Sequence, residues 1–303
     1  MWWSRPIRRS FSSTVSRPKQ ARQRHVPWYL VVGGGAATIY AGCHAWKWHV
    51  ENDKRLTPDR YVGLDLVDHE QLNHNAFRLR LATDRQQHET FPVLSCLYIK
   101  DDTVQVMRAY TPINDPFKDG HVDLLVKRYE QGSISRMLSR TPVGDKVFVR
   151  GPMLEYDYQP NSKDEIGMIA GGTGITPMYQ LIRRVLQDPE DKTKRLWLIY
   201  CNKTQEDILL KKELDALQAQ HRDRLEILYV LEEPPNDQWE KGYVTQDRVQ
   251  RMLKFDNRLI FVCGPDGMLA HVSGQRARDF SQGRVTGILG RMGFKSNEVW
   301  KLE

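Results

Sequence analysis

The stretch Ile169-Ala170-Gly171-Gly172-Thr173-Gly174-Ile175-Thr176-Pro177-Met178 carries an apolar run into a glycine cluster and out again into a helical pattern. The run Ile166–Ala170 reads as a buried strand. Met178, Leu181, Ile182, Val185 and Leu186 then share one helical face. A strand, a glycine turn and a helix start together present backbone N–H groups to a phosphate. Pro177 suits the first helical turn, where its missing N–H costs nothing. The match to the dinucleotide fingerprint is incomplete: Gly172 and Gly174 fit, but Pro177 stands where a third glycine is usual. A tight strand-to-helix turn without a ligand is the alternative reading of these residues alone.

C-terminal to this stretch, apolar strands alternate with amphipathic helices. Leu196–Tyr200, Leu225–Leu231 and Leu259–Cys263 read as strands, and 205–220 and 245–253 as helices. That alternation predicts a parallel sheet covered on both faces, with ligands at the carboxyl ends of its strands. Gly264-Pro265 is a second glycine turn at such an end. N-terminal to the stretch, beyond the polar connector Asn161–Asp164, the pattern changes. Short alternating segments from Tyr61 to about Tyr158, among them Phe77–Leu81, Leu97–Lys100, Val122–Val126 and Lys146–Val149, predict an antiparallel barrel or sandwich.

The 303 residues allow about two domains. The formal charge of +7 is confined to one end. Residues 1–25 hold seven Arg and Lys and no acid, so the remainder is formally neutral, which argues against a nucleic-acid partner. Arginine, serine and no acid make 1–25 a mitochondrial targeting segment by composition. Val26 to Trp46 contains no charged residue and has the length of a membrane span. A transmembrane anchor over 26–48 is therefore expected, contacting membrane lipid. A single-pass protein of the mitochondrial inner membrane follows, its folded part in the intermembrane space. Cysteines 43, 96, 201 and 263 lack metal-site spacing, so neither a disulfide framework nor a metal site is expected.

Three segments in order, Arg108-Ala109-Tyr110-Thr111-Pro112, the glycine stretch, and Cys263-Gly264-Pro265-Asp266-Gly267-Met268, resemble the ferredoxin–NADP reductase superfamily, and within it the NADH–cytochrome b5 reductase branch. The resemblance covers residues 57–303. It implies an antiparallel β-barrel FAD-binding domain over 57–160, followed by an α/β parallel-sheet NAD(P)-binding domain over 165–303, behind the transmembrane helix. Arg108 would pair with the FAD pyrophosphate, where a guanidinium fork suits phosphate oxygens. Tyr110 and Pro112 would line the flavin, and the Thr111 hydroxyl would reach flavin N5. Val126, Lys127 and Tyr129 form the next family element, with Lys127 offering charge to the dinucleotide. Gly132, Ser133, Ile134 and Ser135 would supply N–H groups to the FAD pyrophosphate. Gly172, Thr173 and Gly174 would bind the NAD(P)H pyrophosphate, with Thr176 and Pro177 near the flavin. Gly264, Pro265 and Met268 would bracket the nicotinamide, and Cys263 would pack close to the hydride path without a covalent role. Thr111, Lys127 and Cys263 are thus the expected catalytic residues.

The sequence departs from the family in Pro92–Cys96, in the short segment from Tyr129 to Gly132, and in Asp266-Gly267. Lys203 would favour a 2′-phosphate and Glu232 would repel one; the balance leans to NADH, with NADPH an alternative. The C-terminal run, Ser281–Arg284 through Val299-Trp300-Lys301-Leu302, resembles a fungal mitochondrial subgroup that supports cytochrome c import and haem attachment. The resulting expectation is an FAD-dependent NAD(P)H oxidoreductase passing electrons singly to a haem protein. A redox assembly factor for cytochrome c and a flavin-free tethered scaffold are the alternatives.

Overall fold

The computed structural model describes residues 53–303 apart from 87, 88, 102–105, 278 and 280. The expected targeting segment 1–25 and span 26–48 lie outside the described residues. Among the described residues no helix is long and apolar enough to cross a membrane. Among the described residues the fold class is corrected accordingly to two domains, one built on an antiparallel sheet and one on a parallel sheet, with no transmembrane helix among them. The lipid partner, the transit peptide and the mitochondrial inner-membrane placement depended on the unsupported N-terminal reading and have no structural basis here.

The first sheet contains β1 (Val62–Gln71), β2 (Ala76–Ala82), β3 (Ser95–Asp101), β4 (Val106–Tyr110), β5 (His121–Lys127) and β6 (Lys146–Leu154). Its order is β4-β3-β6-β1-β2-β5, antiparallel throughout. Alternation explains the pleat: Phe77, Leu79 and Leu81 are buried, while Arg78 and Arg80 point the other way. Arg80 makes a bidentate bond to Asp123, its cross-strand partner on β5, at 2.7 and 2.8 Å. No ladder among the described residues joins β4 to β5, so the expected barrel is an open, wrapped sheet. Two short helices, α1 (Pro116–Asp119) and α2 (Ser133–Arg140), accompany it.

The second sheet contains β7 (Glu165–Gly171), β8 (Arg195–Asn202), β9 (Leu225–Leu231), β10 (Glu240–Lys241), β11 (Arg258–Cys263) and β12 (Val299–Lys301). Its order is β10-β9-β8-β7-β11-β12, all parallel. Every residue of β7 is buried, as a central parallel strand requires. Helices α3 (Ile175–Gln187), α4 (Lys211–Gln220), α5 (Gln246–Met252), α6 (Asp266–Val272) and α7 (Gly287–Arg291) complete the domain. The chain runs outward from β7 through β8 and β9, then returns to place β11 on the other side of β7. The point of reversal lies between β7 and β11, where ligands of open α/β sheets bind. Ala76, Leu94 and Leu125 from the first domain share one core with α3 and β7, so the domains join through packed apolar surface.

The single helix expected over 205–220 is interrupted. Asp207 accepts bonds from the Thr204 backbone N–H and hydroxyl, both at 3.2 Å, which closes a short turn over Gln205–Asp207. Ile208 and Leu209 then turn into the core, Leu210 takes a φ of 56°, and α4 starts at Lys211.

Candidate functional site

At the end of β7 the chain makes a tight turn over Gly172–Gly174 and enters α3. Gly172 has φ 55°, and a Cβ on it would meet nothing within 4 Å. No side chain caps Gly174; the Ile175 N–H turns back to the Gly172 and Thr173 carbonyls, and Pro177 has none to give. Thr176 is buried and donates its hydroxyl to the Thr173 carbonyl at 3.1 Å.

The second turn interlocks with the first. A Cβ on Gly174 would lie 2.3 Å from the Cys263 carbonyl oxygen, and one on Gly171 would lie 2.7 Å from the Met268 sulfur. Only glycine permits this approach. Cys263 is buried and donates to the Glu303 carbonyl at 3.5 Å. Burial pushes its thiol far up, so it stays protonated and is no nucleophile at neutral pH.

Two cavities flank these turns. The smaller, about 200 Å³, is walled by Tyr110, Thr111 and Tyr129 from the first domain and by Thr173, Thr176, Pro177, Cys263, Gly264 and Pro265 from the second. The larger, about 580 Å³, is lined by Lys127, Tyr129, Gly172, Lys203, Glu232, Pro265 and Met268. The structure thus gathers most of the sequence-predicted residues at the seam. Arg108 is exposed and forms no ion pair among the described residues; its guanidinium bonds only the Met107 carbonyl, at 2.9 Å. Burial pushes the neighbouring Tyr110 hydroxyl up, with the Arg108 charge pulling the other way. Pro112 is buried, and its carbonyl accepts from Gln180 of α3 at 3.4 Å.

Several residues stand differently from a simple ligand-contact reading. The side chains of Val126 and Ile134 are buried in the first core, so only their backbone can face a ligand. Gly132 starts α2, and its lack of a Cβ leaves room for the Ser135 hydroxyl, which accepts from the Tyr129 N–H at 3.2 Å. With Gly132 as cap and no capping side chain, the N–H groups at Ser133 to Ser135 stay open to an anion. Lys127 pairs with Asp207 across the seam at 2.9 Å, and Lys203 pairs with Glu233 at 3.4 Å. Sequence reasoning missed Asn202, Tyr243 and His271 in the larger cavity and Glu303 in the smaller. Only Asn202 had a signal, its place between Cys201 and Lys203. Among the described residues neither polar atom of Asn202 has a hydrogen-bond partner, although the residue is 7% exposed. An orphaned buried amide, an open glycine turn and two uncapped helix starts fit a ligand with phosphates and hydrogen-bonding groups.

Beside the smaller cavity, Glu155 accepts from the Glu303 N–H at 2.7 Å, and its carbonyl accepts from the Trp300 indole at 3.1 Å. Burial pushes the Glu155 carboxyl from 4.5 up to about 7, with the Glu303 N–H opposing the rise and the Glu303 charge adding to it. A carboxyl raised in the folded state stabilises fully below its unfolded value, and that contribution is lost as pH rises through the folded one. Glu155→Gln is therefore expected to melt near the parent at pH 4.5 and above it at pH 8. Melting curves at the two pH values check this, and an unchanged difference refutes it.

Two family models match the chain: an oxidoreductase FAD-binding domain over residues 63–158 and an oxidoreductase NAD-binding domain over residues 168–274. NADH-cytochrome b5 reductase 2 of Pyricularia oryzae is 40% identical over 284 residues, 90% of this chain and 84% of that protein. The protein of the same name from Aspergillus oryzae is 37% identical over 98% of this chain and 97% of its own length. Among solved structures, the cytochrome b5 reductase domain of Ulva prolifera nitrate reductase superposes with a TM-score of 0.69 at 31% identity, covering 82% of this chain and 99% of that one. Fold, paired cavities and relatives agree that this chain belongs to the NADH–cytochrome b5 reductase-like flavoproteins of the ferredoxin–NADP reductase-like superfamily, and is an FAD-dependent NAD(P)H oxidoreductase of the cytochrome b5 reductase type.

Proposed function

We propose that the smaller cavity takes the flavin ring against the nicotinamide, that the larger takes the rest of the dinucleotide, and that the acceptor is a haem protein. The flavin domain is read as 57–160 and the dinucleotide domain as 165–303. The supporting observation is the smaller cavity itself, where Thr111 and Tyr110 face Thr176 and Cys263 across the seam. Bound FAD supplies the hydride acceptor and the one-electron donor.

The chain's own residues bind and orient. Arg108, which forms no ion pair among the described residues, and the N–H groups of Ser133, Ile134 and Ser135 after Gly132 hold the FAD pyrophosphate. Tyr110, Pro112 and the backbone of Val126 wall the flavin, with Tyr129 at the opening. Thr111, which is 5% exposed, offers the ring a hydroxyl in a nearly dry setting. Gly172, Thr173 and Gly174 hold the dinucleotide pyrophosphate, and Thr176 and Pro177 form the floor between the rings. Gly264, Pro265, Met268 and the neutral Cys263 bound the nicotinamide. Near-attack positioning of two rings, without an acid or base, accounts for the rate.

NADH is the proposed donor. Glu233 already partners Lys203, and the exposed Glu232 lies beside it in the cavity wall. Two carboxylates leave little net charge for a 2′-phosphate. The haem acceptor follows the name of the relatives, which are NADH-cytochrome b5 reductases. The finer likeness to a fungal subgroup serving cytochrome c import and haem attachment differs only in the acceptor. It rests on the C-terminal run, part of which is occupied structurally: the Gln282 and Arg284 carbonyls hold the Lys301 ammonium.

The test is anaerobic titration of the FAD-loaded protein with NADH and NADPH separately, followed by cytochrome b5 or by haem with apocytochrome c. Bleaching of the flavin band by NADH at least tenfold faster than by NADPH, then reduction of cytochrome b5, is expected. A colourless protein that ignores added FAD refutes the reading.

A further inference from the structure

A lysine of the antiparallel domain and a buried carboxylate of the second domain form a contact that neither glycine turn explains. Asp207 is 3% exposed by side chain, and its partner Lys127 is 20% exposed. One carboxylate oxygen, Oδ2, is taken by the Thr204 N–H and hydroxyl. The other, Oδ1, accepts from the Lys127 ammonium at 2.9 Å, with the His74 ring nitrogen 3.8 Å away. Beside it the Asn73 amide donates to the Glu206 carbonyl at 2.8 Å. The turn between β1 and β2 and the end of β5 therefore grip the turn at 204–207 from the other domain. Burial works against a charged Asp207, but the Lys127 bond and charge, with the Thr204 bonds, hold its carboxyl below the usual value.

A cap for the 204–207 turn needs only an acceptor at Oδ2. The buried negative charge at Oδ1 is answered across the seam, by a lysine that also lines the larger cavity. An ammonium has three donors, and Asp207 takes one. The turn that carries Asp207 directly follows Cys201-Asn202-Lys203, which lines the same cavity.

We propose that Asp207 is a positioning residue for the dinucleotide. It fixes the Lys127 ammonium at the cavity wall with two donors left for an anionic group of the ligand, and it ties the Asn202–Lys203 loop to the first domain. This rests on reading the larger cavity as the dinucleotide site.

Asp207→Asn keeps the acceptor for Thr204 and removes the charge. Steady-state kinetics of the FAD-loaded protein with NADH and ferricyanide are expected to show KM for NADH raised about five- to tenfold, the net scale of one hydrogen bond, with kcat within about twofold. Lys127→Met should raise KM at least as much, and the double variant no more than Lys127→Met alone. Asp207→Glu, which restores the charge, should recover most of the loss. Parent-like KM in Asp207→Asn, additive effects in the double variant, or loss of FAD from Asp207→Asn makes the residue structural and overturns the proposal. If Lys127→Met and Asn202→Ala also leave NADH binding unchanged, the cavity assignment itself fails. A silent Asp207→Asn beside effective Lys127→Met and Asn202→Ala sinks only the role of Asp207.

Discussion

Gly174→Ala is expected to lower kcat/KM for NADH by about a hundredfold or more while the protein keeps its FAD. The added methyl would stand 2.3 Å from the Cys263 carbonyl oxygen, 2.6 Å from the Cys263 carbonyl carbon and 3.0 Å from the Gly264 nitrogen. All three are backbone atoms, and no rotamer change clears them. The turn must move by roughly 1 Å, the scale of misplacement that costs about a hundredfold in rate. Both turns at the proposed nicotinamide site move together, because each is the other's wall. The antiparallel sheet and Arg108 are untouched, so the flavin absorbance should remain. Stopped-flow reduction by NADH measures the effect; a rate within threefold of the parent would show that the turns can slide apart freely.

Lys301→Met is expected to cause the largest loss of stability, about 3–5 kcal/mol. Lys301 is 1% exposed, and its ammonium donates to the carbonyls of Gln275, Gln282 and Arg284 at 3.2, 2.6 and 2.8 Å. No carboxylate is among these partners; the three carbonyl dipoles answer the charge. Methionine fills a similar volume but donates nothing, which leaves the three carbonyls without their shared donor. For a folded part of this size the loss corresponds to a fall in Tm of roughly 10 °C. Thermal melting of the FAD-loaded protein measures it, and a fall under 2 °C would mean that water replaces the ammonium at little cost.

The parts of the molecule legible in the sequence are those set by local pattern. The alternation of Phe77, Leu79 and Leu81 gave a pleated strand, and the unbroken apolar run at Ile166–Ala170 gave a central one. The glycines at 172, 174 and 264 marked turns that the structure brings together at the reversal point of the sheet. Long-range pairing was not legible. Lys127 meets Asp207 from 80 positions away, and Glu233 meets Lys203 because the loops after adjacent strands β8 and β9 lie side by side. The broken helix at Leu210 was hidden because Ile208 and Leu209 fit a helical face as well as a core-seeking turn. Closure of the first sheet could not be read either, since strand pattern reports the pleat and not the edge pairing. The transmembrane expectation came from a run of uncharged residues, a signal that the described part of the fold does not contain.

The place of β11 has a consequence for synthesis. Its partner β7 spans Glu165–Gly171, yet the strand that covers one edge of β7 is Arg258–Cys263. A nascent chain that has not reached residue 258 holds the whole antiparallel half and a β7 with one edge bare. Contacts of that sequence separation form late and slowly. The ribosome therefore releases a half able to mature early and a half that closes only near the end of translation, so a pause between them would expose the bare edge of β7 to whatever chain lies nearby.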